Sequence, residues 1–138
     1  MNLVGSRKFS EASNLVEQNI IDLVQNHTQK KTEIVDLKFN SFRDLNSHNY
    51  INIFATSALI FKDSYINSKD IDDLNKSEKL SLIAAEMFNE FYLNGSYNPT
   101  LNKLQDKISE GLLFVISEKY QKNVPKKIEL INWIERNA

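Results

Sequence analysis

The pattern of apolar and polar positions is most legible between Lys76 and Leu93, KSEKLSLIAAEMFNEFYL. Leu80, Ile83, Ala84, Met87, Phe88, Phe91 and Tyr92 recur at three- and four-residue steps, while Glu78, Lys79, Glu86, Asn89 and Glu90 fall on or near the other side. That spacing predicts an amphipathic helix whose apolar stripe other segments must cover. Ser77 is placed to cap its start, and Gly95 can take the left-handed conformation that ends it.

The same periodicity predicts three more helices. One runs from Glu11 to His27, with Leu15, Asn19/Ile20, Leu23 and Val24 inward; Ser10 or Ser13 caps it, after a loose lead-in through Gly5. The second covers residues 100–121 through Leu101, Leu104, Ile108, Leu112 and Val115/Ile116. Gly111 inside it costs roughly 1 kcal/mol against Ala, an expense that the close approach of a neighbouring helix would offset. The third opens at Pro125 and turns Ile128, Ile131/Trp133 and Ile134 inward. Asn67 to Asn75 is polar, a loop or a short turn.

Two stretches obey two periods at once. Residues 33–40 alternate Val35, Leu37 and Phe39 against Asp36, Lys38 and Asn40, as a half-buried strand does. They also place Val35, Phe39 and Phe42 at helical spacing, on a segment that could run to Leu45. The most apolar run, Tyr50 to Phe61, reads as a buried helix capped by Ser47, with Tyr50, Phe54, Ala58 and Phe61 in step, or as a strand. No hairpin turn supplies a strand partner, so the expected fold is all-α: a single domain, residues 1–138, of five to six helices. The alternative is α+β, with a small antiparallel sheet built from residues 33–61.

Composition narrows the function classes. A net charge of −1, from 17 bases and 18 acids, offers no basic footprint for duplex nucleic acid. The absence of cysteine excludes disulfides, Cys-ligated zinc and thiol catalysis. No run approaches the length of a membrane span, and the first residues lack the apolar core of a secretion signal, so a soluble cytoplasmic protein is expected. The chain has 17 Asn, 14 Ile and 14 Lys against 3 Arg, a bias of A/T-rich genes that fits a bacterium or phage.

Motifs for cofactors and metals are missing. With 3 glycines there is no phosphate-binding loop, and the 2 histidines, His27 and His48, have no ligand at helical spacing. Asp70, Asp72 and Asp73 lack the glycine and terminal glutamate of a calcium loop. No metal and no cofactor are therefore expected. Lys119, Lys122, Lys126 and Lys127 read as a solvated face, and Trp133 as the first place to look for a partner surface. These features fit a non-enzymatic protein-binding module, of the immunity-protein, antitoxin or inhibitor kind, that neutralises another protein, a toxin or a host factor, by direct contact.

One local pattern points elsewhere. Arg43-Asp44-Leu45-Asn46-Ser47-His48-Asn49-Tyr50 has the form R-x4-H-x-Y and resembles the motif of HEPN-type ribonucleases, small helical proteins that cleave RNA as homodimers without metal. The resemblance implies that Arg43 stabilises phosphate charge, His48 transfers a proton and Tyr50 supports the site, with RNA as substrate. A histidine can exchange protons near neutrality, and arginine grips phosphate through two donors.

Overall fold

The computed structural model describes residues 3–45, 48–93 and 101–119. Among them the chain is all-α, a bundle of α1 (Leu3–Thr28), α2 (His48–Ser68), α3 (Ile71–Leu93) and α4 (Leu101–Lys119). Two 3-10 turns, Ile34–Asp36 and Phe39–Leu45, carry the chain from α1 to α2. Four α-helices thus stand where five to six were expected: the extra one before Leu45 is replaced by the 3-10 turns, and the one opened by Pro125 lies outside the described residues.

Residues 33–61 form no sheet. Ile34 and Leu37 are the buried pair of the first turn, 1% and 2% exposed, whereas Val35 is 44% exposed. Burial at i and i+3 is the period of a 3-10 turn, and it overrides the strand-like alternation of Val35, Leu37 and Phe39. The apolar run after residue 50 is helical, with Ile51, Phe54, Ala55, Ala58 and Phe61 all buried in α2.

Several helix ends differ from the sequence expectation. α1 starts at Leu3, through Gly5 and both proposed caps. Ser13 is buried inside it, and its Oγ donates to the Ser10 carbonyl at 3.0 Å, the local back-bond that lets a hydroxyl sit in a helix. Leu15, expected on the inner stripe, is 63% exposed. Five residues before Ile20, it points about 140° away from that residue at the helical increment of roughly 100°. Ile20, Ile21 and Val24 form the true inner face.

The expected loop at 67–75 shrinks to Lys69 and Asp70. Lys69 adopts φ 60°, its N–H bonded to the Tyr65 carbonyl at 2.7 Å, and ends α2 without glycine. Gln29 ends α1 in the same way, with φ 61° and a 2.8 Å bond to the Gln25 carbonyl. Asp70 then caps α3, its Oδ1 accepting the Asp72 N–H at 3.0 Å. Ser77 is consequently not a cap. It lies within α3, fully buried, and its Oγ donates to the Ala58 carbonyl of α2 at 2.8 Å.

α2 and α3 are the inner pair, and α1 and α4 both pack on α2, with α4 also against α3. The stripe from Leu80 through Ile83, Ala84, Met87 and Phe88 is buried as expected; the side chains of Phe91 and Tyr92 lie outside the described part. Leu104, Ile108, Leu112, Val115 and Ile116 close the core from α4. Gly111 sits where α4 crosses α3: a Cβ there would lie 2.5 Å from Ser81 Oγ. Polar ties staple the periphery. Lys62 meets Glu110 at 2.8 Å, Lys76 meets Glu17 at 2.9 Å, and Lys107 donates to Asn52 and Thr56 at 2.9 and 3.3 Å. No helix among the described residues is long and apolar enough to cross a membrane.

Candidate functional site

The strap of residues 29–45 between α1 and α2 is the one described connection with side chains available for recognition on both flanks. Its first turn is anchored by Ile34 and Leu37. Its second is anchored by Asp44, whose Oδ1 lies 2.9 Å from Nε2 of His27, in the last turn of α1. The imidazole is 22% exposed and the carboxylate 75%, so the contact is a clasp at the surface. Sequence reasoning missed it because the two residues are 17 apart, beyond any helical or turn spacing.

Two clefts flank the strap and share Leu37 and Lys38. The first, about 240 Å³, opens toward the end of α1, with buried Val24 and Leu37 as its floor and Lys30, Asp36 and Lys38 around its mouth. Thr28 lines it too, but its hydroxyl already donates to the Val24 carbonyl at 2.8 Å. The second, about 250 Å³, opens toward α3. Leu37 and Ile83 form its floor, Phe39 and Leu82 its half-buried sides, and Lys38, Lys79 and Glu86 its edge. Both therefore have buried aliphatic side chains at the base and polar or charged groups around them, with Phe39 adding a ring to the second.

The described lysines divide into two sets. Lys62, Lys76, Lys107 and Lys119 each bond to a named side chain of another helix. Lys30, Lys38 and Lys79 on the rims have no side-chain hydrogen bond or ion pair among the described residues, and the same holds for Lys8, Lys31, Lys69 and Lys103.

A third cleft, about 260 Å³, lies between α1 and the α2–α3 turn and is polar. Its groups satisfy one another. Ser64 Oγ donates to Asp73 Oδ2 at 2.8 Å, Ser68 Oγ reaches the same oxygen at 3.3 Å, and Lys76 pairs with Glu17. Of the acidic run, Asp70 and Asp72 are exposed, with Asp70 capping α3, while Asp73 is half-buried and accepts from both serines. Among the described residues no group of three His, Cys, Asp or Glu side chains could hold a metal.

The motif residues fall on consecutive elements. Arg43 belongs to the second 3-10 turn, and its side chain lies outside the described part. His48 is the first residue of α2 and half-buried. Tyr50 packs against the core from the same helix. Asp44, the polar residue after the arginine, is engaged by His27. Of the lysine cluster, Lys119 bonds to Asn75 and to Glu78 at 3.2 Å; Lys122, Lys126, Lys127 and Trp133 lie outside the described residues. No family model, curated protein or solved structure matches the chain.

Proposed function

We propose that the chain is a protein-binding module of the immunity, antitoxin or inhibitor kind, a cytoplasmic protein of a bacterium or phage that neutralises a partner by covering part of its surface. The observation that supports this reading is the pair of aliphatic clefts on either side of the strap. Each is smaller than the roughly 300 Å³ at which small-molecule pockets begin, and is sized for single side chains of a partner. Small hollows with an apolar base and a polar surround are what anchor residues fill at protein interfaces. The test is direct binding, by interferometry, between the purified protein and the products of the genes flanking its own, taken one at a time. Binding to one of them that weakens when Ser41, exposed at the edge of the first cleft, is replaced by Trp, while a distant surface change such as Leu15→Asp leaves it intact, is the expected result. If none of them binds, the proposal fails.

A second reading keeps the R-x4-H-x-Y pattern. His48 opens a long helix, where unpaired amide N–H groups and the helix dipole favour a phosphate. On this reading the chain is a metal-independent ribonuclease acting as a homodimer, with Arg43, His48 and Tyr50 at its site. It predicts RNA cleavage and growth arrest on expression, both lost in His48→Ala; a wild-type protein that leaves RNA intact removes it.

A further inference from the structure

The rims of the two strap clefts carry more lysines than carboxylates. Lys30, Lys38 and Lys79 face two carboxylates, Asp36 and Glu86, around floors made of Val24, Leu37 and Ile83. Lys38 lies on the ridge between the hollows and borders both. From this arrangement we infer that the strap docks an acidic, aliphatic segment of a partner protein: an apolar side chain enters each cleft, and a carboxylate between them meets Lys38. The inference rests on the protein-binding reading and names the partner's chemistry.

Two features favour such a segment over other occupants. A polyanionic nucleic acid backbone would pass the carboxylates of Asp36 and Glu86, and Phe39 is one half-buried ring among the described lining residues where single strands use a succession of stacking platforms. A basic segment would bring like charge to Lys38 at the point shared by both hollows. A carboxylate flanked by aliphatic side chains satisfies the lysine while the apolar groups leave water.

The probe is a short capped peptide with leucines at three- and four-residue spacing separated by glutamates, titrated into ¹⁵N-labelled full-length protein. Matched peptides carry Gln or Lys in place of Glu, and poly(U) serves as a nucleic acid competitor. The Glu peptide is expected to shift amides of residues 30–41 and 79–86, and to bind at least about fivefold more weakly to K38E/K79E or when salt is raised. Circular dichroism of the variant confirms that it folds.

The inference is overturned if the Gln or Lys peptide binds as tightly, or if the Glu peptide shifts nothing at about 1 mM, the weakest affinity such a contact would need. Displacement of the Glu peptide by poly(U) would assign the clefts to RNA. Self-association in sedimentation velocity that K38E/K79E abolishes would assign them to a second copy of the chain. A protein partner that binds K38E/K79E as well as wild type would remove this inference and leave the proposed function standing. Failure of every flanking gene product to bind would instead count against the function.

Discussion

Gly111 and Ser81 form a pair whose energies should be strongly coupled. Alanine in place of glycine inside a helix gains about 1 kcal/mol of propensity. At Gly111 the added methyl would sit 2.5 Å from Ser81 Oγ, well inside contact, so the α3–α4 crossing must open or the serine must leave its rotamer. Overpacking of that kind costs about 1–3 kcal/mol, which makes Gly111→Ala alone a net loss of about 1 kcal/mol. Ser81 brings a second cost, because its hydroxyl is 1% exposed and has no hydrogen-bond partner. Removing an unsatisfied buried hydroxyl relieves about 1–3 kcal/mol of desolvation, less the packing of one atom, so Ser81→Ala should stabilise by about 1 kcal/mol. Without that oxygen the new methyl meets Ser81 Cβ at 3.6 Å and Leu59 Cδ2 at 3.9 Å, ordinary contact distances.

The double variant should then gain about 2 kcal/mol where the two single effects sum to about zero, a coupling of about 2 kcal/mol. Urea denaturation of the four proteins, followed by helical circular dichroism, measures it, with unchanged slopes as the check that only stability moved. Additivity within about 0.5 kcal/mol would refute the account of the α3–α4 crossing.

Asp70→Ala should cost about 1 kcal/mol through loss of the α3 cap, while Asp70→Asn should stay within a few tenths; equal losses in thermal melts would contradict the capping role. At Gln29, with φ 61°, glycine should raise stability by up to about 1 kcal/mol and valine should lower it by more than 1 kcal/mol. Any other rank order of the melting temperatures would mean that the left-handed end of α1 is not maintained in solution.

The clefts were not legible along the chain, and none of the candidate catalytic residues that the sequence singled out is among their described lining residues. Arg43, His48 and Tyr50 could be picked out because a motif needs only spacing. The clefts could not, since each joins groups from separate elements: Val24 on α1, Leu37 on the strap, Ile83 and Lys79 on α3. The clasp between His27 and Asp44 is equally non-local. Lys38 and Lys79 looked like any solvated lysines until the structure set them around the same hollow.

By itself the sequence determined the helical class and the inner faces of α3 and α4, because an apolar side chain at every third or fourth position has one low-energy solution, burial along a single stripe. Leu80, Ile83, Met87, Leu104, Ile108 and Leu112 follow that rule. Tertiary structure decided what local rules left balanced. Ser77, a good cap in isolation, is worth more as a buried donor to the Ala58 carbonyl, so α3 begins at Ile71. Gln29 and Lys69 end helices in a conformation usually reserved for glycine, closed by local backbone bonds to Gln25 and Tyr65 that no residue type along the chain marks. The strap, with strand-like alternation and helical spacing superimposed, follows neither: burying Ile34 and Leu37 together against the bundle requires the three-residue period of a 3-10 turn.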